Sequence, residues 1–396
     1  MKSFKVFFIA LFFQSIAANL VHPVTPTLIL KLNLPSYMFG LAFASMSFTN
    51  LFFSPFWGKL NGYIGSRKII CICCIGYGIG QFVFFKSTTP LEIVIARLLS
   101  GFFVGGIVVS QMTYITKRSI NVSKDLTIFA TVQAVASATG YFVGGIIGKW
   151  NINIVFILQV IMLISLGFVF RIIMDRNSDR TISCKTATSI FLKNNPINYF
   201  YTLKPFMNKV LGILSVIVFL SMIGTTCQDQ NFNFFINDVY FLDSSYNGYI
   251  KSVVAILGLF LNVTLCRKII KNRDIGKSLR YLFFVIGLNV LIIFFIKTPT
   301  IFIGFNVLFY ALNIVYTPLL QYLFTQSNMK IERGVLMGFY NSLKSLGMIC
   351  GSLMAGMLYV FGEKTPFIFT TVIFIVSAML MLVVKNEKSL DVKNSV

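Results

Sequence analysis

Charge is what this chain has least of. Asp, Glu, Lys and Arg make up 12% of its 396 residues, about half of the roughly 25% found in soluble domains. So few charges cannot clothe a water-facing surface, which excludes an ordinary soluble fold. Acids are the scarcer sign, with 12 Asp and Glu against 34 Lys and Arg, and His occurs once. That shortage speaks against a Ser–His–Asp hydrolase, a metal centre ligated by His and carboxylates, and paired catalytic carboxylates. No Gly-x-x-x-x-Gly-Lys-Ser/Thr loop occurs either, and without that phosphate cradle an ATP-driven pump is not expected. Enzyme activity, cofactor and metal are all absent from the expectation.

What is present is apolar. Hydrophobic residues reach 56%, Phe alone numbers 43, and the mean hydropathy is +0.81. The apolar runs are about 20 residues long and do not alternate, the pattern of bilayer-spanning helices rather than barrel strands. Spans are expected at 6–30, 37–57, 69–86, 91–115, 125–149 and 152–172, then at 208–237, 245–266, 278–297, 301–325, 332–360 and 365–384. The fold class is an all-α membrane protein of 12 transmembrane helices.

A net charge of +22 invites a nucleic-acid partner, and the placement of the charges answers it. Only Lys31, Lys86, Lys149, Lys297 and Lys364 fall in the connections on one side, and Arg97, Lys251 and Lys344 fall inside spans. The other 26 of the 34 basic residues lie on the opposite side. That asymmetry is the positive-inside signature, so both termini are expected in the cytoplasm and no nucleic acid is expected as partner. The start, Met1 to Lys5 and an apolar run to Ala18, also has the outline of a signal peptide. The run continues to about residue 30, too long for a cleaved leader. Seven cysteines include Cys71, Cys73 and Cys74 at the cytoplasmic start of the third span, where thiols stay reduced and serve as small apolar helix residues.

The longest polar stretch runs from Asp175 to Lys209, with Pro196 and Pro205 as helix breakers. It divides the chain into a six-helix bundle at 1–174, a cytoplasmic linker at 175–207 and a second six-helix bundle with a short tail at 208–396. The halves repeat. Leu34, Ser36 and Gly40, entering the second span, return as Leu242, Ser244 and Gly248, entering the eighth, at an offset of 208. Gly140, Gly144 and Gly148 in the fifth span match Gly347, Gly351 and Ala355 in the eleventh at 207, as Asp125 matches Glu332. Repeats of this kind imply two pseudo-symmetric bundles and a substrate site near the bilayer midplane.

The loop after the second span reads Gly58-Lys59-Leu60-Asn61-Gly62-Tyr63-Ile64-Gly65-Ser66-Arg67-Lys68. Its glycines permit a tight turn, and Arg67 with Lys68 anchors the cytoplasmic surface. Here the chain resembles the major facilitator superfamily, whose signature in this loop is Gly-x-Leu-Asp-x-x-Gly-x-Arg-Lys. Asn61 is read as standing where the family has Asp. The resemblance implies a cytoplasmic gating motif of Gly58, Asn61, Gly65, Arg67 and Lys68, in which Asn61 can cap a helix but brings no charge. Arg97-Leu98-Leu99-Ser100-Gly101, continuing to Gly105, resembles the superfamily's Arg-x-x-x-Gly pattern, with the Arg inside the bundle. Gly140-Tyr141-Phe142-Val143-Gly144-Gly145-Ile146-Ile147-Gly148 resembles the Gly-x-x-x-Gly-Pro-x-x-Gly signature of drug:proton antiporters, without its Pro. Gly101, Gly105, Gly140, Gly144 and Gly148 equally suit close helix crossing.

Polar residues inside a membrane are costly and mark a pathway. Gln14, Ala18, His22 and Thr25 share one face of the first span. Asn306, Tyr310, Asn313 and Thr317 share one face of the tenth, and Asn341, Lys344, Met348 and Ser352 one of the eleventh. Gln159 and Asn289 stand almost alone in the third, sixth, ninth and twelfth. The expected substrate cavity therefore draws on Gln14, Thr25, Gln228, Phe232, Tyr310, Asn313, Asn341 and Lys344. Asp229 is the one carboxylate well inside a span, and the 208 offset sets it opposite Val21, beside His22. Burial disfavours the carboxylate's charge and His titrates near neutrality, so either can carry a proton. Proton coupling is assigned to Asp229, His22 and Arg97. Two bland readings stand beside it: Asp229 paired with Lys344 or Lys251, and His22 as a hydrogen-bonded helix residue next to Pro23.

The leading expectation is a monomeric, proton-coupled secondary transporter of the plasma membrane that exports amphipathic drug-like compounds by alternating access. Its partners are a small-molecule substrate, protons and the lipid bilayer. Alternatives are a transporter of a small organic anion or metabolite, held by Lys344 and Arg97, and a membrane sensor or scaffold that has lost transport.

Overall fold

The computed structural model describes residues 2–120, 122–174, 208–266, 268–269, 274–327 and 333–393. The expected linker at 175–207 and Glu332 lie outside them. The apolar runs are helices, because a helix satisfies every backbone N–H and C=O within its own segment in hydrocarbon. In the first half these are α1 (Lys2–Asn19), α2 (Thr25–Lys31), α3 (Met38–Ile64), α4 (Ser66–Lys86), α5 (Pro90–Arg118), α6 (Val122–Trp150) and α7 (Ile152–Ile173). In the second they are α8 (Lys209–Asp238), α9 (Ser244–Leu261), α10 (Ile275–Phe295), α11 (Pro299–Thr325), α12 (Arg333–Phe361) and α13 (Thr365–Lys393). Counting α1 and α2 as one span gives twelve. Ten spans among the described residues are long and apolar enough to cross a membrane on those grounds alone. The other two, α3 and α9, hold the second and eighth places and are diluted by Ser, Thr and Asn.

Polar residues at the helix ends take up backbone groups that lack a partner in the first turn. Thr89 and Glu92 close a capping box on α5: Glu92 N–H donates to the Thr89 hydroxyl at 3.4 Å, and Thr89 N–H donates to Glu92 Oε2 at 3.2 Å. Asn208 caps α8 by accepting from Leu211 N–H at 2.7 Å. Lys364 does the reverse for α10, donating to the carbonyls of Phe294 and Ile296 at 3.0 and 2.8 Å.

The first span, expected as one helix over 6–30, is broken. α1 stops at Asn19, and a single 3-10 turn, His22–Val24, leads into α2. Pro23 and Pro26 explain the break, since neither has the N–H that would return to the carbonyl four residues back. Neighbouring helices satisfy the carbonyls just before it. Gln159 Nε2 on α7 donates to Ala17 O at 2.8 Å, and the Tyr77 hydroxyl on α4 donates to Ala18 O at 3.3 Å.

By its internal contacts the chain divides into two units. One is Met1–Pro196 with Phe241–Ser252, the other Ile197–Tyr240 with Val253–Val396. The core of the first is aromatic: Phe7 packs on Tyr114 and Phe170 with ring centroids 4.7 and 5.7 Å apart, and Trp57 Nε1 donates to Phe102 O at 2.6 Å. In the second, Phe302 lies against Phe235 and Phe367 at 5.0 and 5.7 Å.

The internal repeat is visible in how glycine admits the first helix of each half. A Cβ on Gly140 would come within 2.6 Å of Ile16 O, and one on Gly347 within 2.7 Å of Phe219 O. Gly144 and Gly351 repeat this one turn on, against the Leu20 and Ile223 carbonyls. Ile16 and Phe219 differ by 203, as do Leu20 and Ile223. The 208 offset of the second span therefore does not extend to the first. α8 takes up the difference by running on to Asp238, past the counterpart of α2's end at Lys31. At 203, Thr225 is the counterpart of His22 and Gln228 of Thr25, so the expected symmetric pairing of His22 with Asp229 is corrected.

Gly101 tests the crossing of α5 with α3, because a side chain there would enter the Met46 carbonyl and the Thr49 hydroxyl on α3. Gly101→Leu should cost at least about 2 kcal/mol, read as a large drop in thermal midpoint of the detergent-purified protein. Gly304→Leu, at a site with nothing within 4 Å of the added carbon, should leave that midpoint in place. Equal midpoints for both variants would contradict the assigned crossing.

Candidate functional site

The broken first span opens onto a cavity of about 250 Å³ within the first unit. Gln14, Ser15, Asn19 and His22 come to it from α1 and the turn after it. Met46 comes from α3, Tyr77 from α4, Val104, Ile107 and Val108 from α5, and Gln133 and Ser137 from α6. Its polar groups are bound to one another across helices. Gln111 Nε2 donates to Gln14 Oε1 at 2.8 Å, and Asn19 Nδ2 donates to Ser15 O at 2.8 Å and Ser137 Oγ at 3.0 Å. The lining carries amides, hydroxyls, an imidazole and apolar walls, and no carboxylate. Such a site offers hydrogen bonds and apolar contact to a ligand without a fixed charge.

Arg97 lies beside this cavity and does not line it. It is 4% exposed, with its guanidinium 3.7 Å from the Phe84 ring centroid. Nη2 donates to the Thr25 hydroxyl at 3.1 Å and Nη1 to the Met46 sulfur at 3.8 Å. The Thr25 hydroxyl in turn donates to Val21 O at 3.0 Å. Arg97 therefore ties α5 to α2 just past the break. His22 is half-buried, its ring parallel to that of Tyr141 at 5.7 Å between centroids.

The second unit repeats the tie without the charge. Gln228, the counterpart of Thr25, donates to Asn306 Oδ1 at 2.9 Å. Asp229 is half-buried and accepts from the Tyr310 hydroxyl at 2.7 Å. Thr225 donates to Asn313 Oδ1 at 2.8 Å and shares a hydrogen bond with Tyr316 at 2.6 Å. Phe232 is fully buried against Tyr310, centroids 5.7 Å apart. Thus Gln228, Asp229, Phe232, Tyr310 and Asn313 are gathered along α8 and α11. Lys344 on α12 lies 5.7 Å from the Tyr340 ring, and Asn341 is exposed.

The cytoplasmic loop differs from its sequence reading in register. Counted back from Gly65, the acid of the signature falls on Gly62 rather than Asn61. Gly62 is exposed, with nothing within 4 Å of an added Cβ. Asn61 is fully buried inside α3 and caps nothing; its Oδ1 accepts from Ser66 Oγ at 2.9 Å. Gly65 itself takes the position before α4, at φ 85°, a backbone region that favours glycine. Arg67 Nε donates to Arg171 O at the end of α7, at 2.6 Å, Lys68 follows in α4, and Gly58 faces Val109 of α5.

Sequence reasoning passed over Asn19, Gln111, Gln133, Ser137 and Tyr141. Signals existed for some: Gln111 lies four turns beyond Arg97 on nearly the same face, and Gln133 and Ser137 precede Gly140 and Gly144 on one stripe.

Comparison with known proteins places the chain. Residues 7–341 match the Major Facilitator Superfamily profile, and residues 290–393 match that of Sugar (and other) transporter. Multidrug resistance protein 2 of Bacillus subtilis (strain 168) is 22% identical over 393 residues, 96% of this chain and 94% of that protein. Quinolone resistance protein NorA of Staphylococcus aureus is 28% identical over 104 residues, 26% of this chain and 27% of that protein. Among solved structures, a bacterial homolog to the human lysosomal transporter Spinster, inward-facing and unoccupied, matches with TM-score 0.76 at 12% identity. It covers 97% of this chain and 96% of that one, a likeness that concerns the fold. The chain is a multi-pass membrane transporter of small molecules rather than an enzyme, and it belongs to the major facilitator superfamily.

Proposed function

We propose that this transporter exports amphipathic drug-like compounds across the cell membrane in exchange for protons, by alternating access, with both termini in the cytoplasm. The observation that carries the reading is the cavity of the first unit, about 250 Å³ of amide, hydroxyl and apolar lining without a carboxylate. Loose hydrogen bonding within apolar walls suits varied, partly apolar ligands. The near full-length likeness to a protein named for multidrug resistance supports the direction and substrate class. The positive-inside charge pattern supports the orientation. Asp229 is proposed as the proton-carrying group, because it is the one carboxylate well inside a span and it already meets a hydroxyl, Tyr310, at 2.7 Å. The organic-anion alternative draws less support, since Arg97 directs its charge onto Phe84 and Thr25 rather than towards the cavity.

Cells producing the protein should hold less ethidium than control cells, and a protonophore should erase the difference. Unchanged dye levels across a broad panel of amphipathic dyes would remove the efflux reading.

In membrane vesicles, Asp229→Asn should abolish dye transport driven by an imposed pH gradient while equilibrium dye binding persists. Full gradient-driven transport in that variant would take Asp229 out of the coupling role.

A further inference from the structure

Asn231 on α8 is fully buried, yet neither polar atom of its amide finds a hydrogen-bond partner among the described residues. Gln228, one turn earlier on the same helix, donates to Asn306 Oδ1 at 2.9 Å but leaves its own Oε1 equally unmet. Buried amides on α11 close locally. Asn306 and Asn313 each donate to the carbonyl four residues back, Phe302 O at 2.9 Å and Phe309 O at 2.8 Å. Asn231 makes no such bond.

The two amides share one arc of α8. Gln228 turns towards α11 through Asn306, and Cys227 turns towards α13, its thiol 4.0 Å from Pro366 O. Asn231 stands one turn on from both. A turn further, Phe235 packs on Phe302 of α11 and Phe367 of α13, centroids 5.0 and 5.5 Å apart. Asn231 therefore opens into the crevice of α8, α11 and α13, beneath aromatic rings. Residues one turn apart have Cβ atoms about 5–6 Å from each other, so one small molecule can bridge Gln228 and Asn231.

A bare amide carries its full desolvation penalty, and hydrocarbon offers no relief. The atoms left over choose the ligand. Gln228 Oε1 and Asn231 Oδ1 are acceptors, and Asn231 Nδ2 is a donor. A metal cation meets only the oxygens, and an anion meets only the Nδ2 group. Water donates and accepts, so it serves both kinds of atom.

We propose that this crevice is a binding site for ordered water, which bridges Gln228 Oε1 to the amide of Asn231 and completes the tie between α8 and α11. At the 203 offset Gln228 answers to Thr25, which the first unit ties with the guanidinium of Arg97. Where the first unit closes this tie with a cation, the second closes it with water. The site stands independently of the proton-coupled reading.

Hydroxyl radicals generated by an X-ray pulse label side chains beside bound water even where bulk solvent does not reach. Applied to the full chain in lipid nanodiscs, the pulse should label Cys227 and Phe235, each one turn from Asn231 and fully buried. Phe7, equally buried in the aromatic core of the first unit, should stay unlabelled. Asn231→Leu, close to Asn in shape, should abolish the labelling of Cys227 and Phe235 and lower the thermal midpoint, because Gln228 Oε1 is then bare. Asn231→Ser, which keeps a hydroxyl, should retain the labelling. Absence of label at Cys227 and Phe235 in the unaltered protein would overturn the proposal, whether or not the variants fold. So would a raised midpoint in Asn231→Leu, the result for a dry amide replaced by a fitting apolar side chain.

Discussion

Backbone groups in hydrocarbon must find a partner, and the first span meets that demand only with help. Pro23 and Pro26 interrupt its hydrogen-bond ladder, and Gln159 and Tyr77 reach in from α7 and α4 to hold the carbonyls of Ala17 and Ala18. Non-helical backbone at membrane depth is tolerated where protein or a cavity surrounds it. Here the break borders the cavity that His22, Asn19 and Gln14 line. Asn289 and Gln159 of the outer helices act by the same rule: Asn289 Nδ2 donates to Phe305 O on α11 at 3.1 Å, as Gln159 does to Ala17 O on α1. Each holds a neighbouring helix with one amide.

The same economy governs charge. Arg97 is buried without a carboxylate and is stabilised by an aromatic face, a hydroxyl and a thioether. In the second unit an amide pair, Gln228 with Asn306, performs the equivalent tie. Fixed charge is thereby kept off the wall of the first unit's cavity, which carries amides, hydroxyls, an imidazole and apolar groups. An uncharged lining of this kind suits the varied, partly apolar ligands of the proposed export.

Much of this was readable from residue order, and the failures have physical causes. Spans were legible because bilayer thickness imposes a run length, and Arg97 because a cation inside an apolar run must be housed. The shared faces of Gln14 with Thr25 and of Tyr310 with Asn313 were readable from helical spacing; Gln14 lines the cavity of the first unit, while Thr25 is taken up by Arg97 instead. The break at His22–Val24 was missed although both prolines were in view, because the apolar run continued through them. The 208 offset misplaced Asp229 relative to His22, since it was measured on the second span and α8 is longer than the first span's helical part. Tyr141 and Lys251, ring centroid to ammonium 6.0 Å, carried no joint signal. They lie 110 residues apart and meet only because Gly145 and Gly248 let two helices touch.

The central claim is exchange of substrate for protons by the purified chain. The direct measurement is proton flux into proteoliposomes, followed with a lumenal pH indicator as a substrate gradient is imposed at zero membrane potential and no initial pH difference. The account predicts a proton movement opposite to the substrate and abolished in the Asp229→Asn protein. Substrate movement with no accompanying proton flux would contradict it.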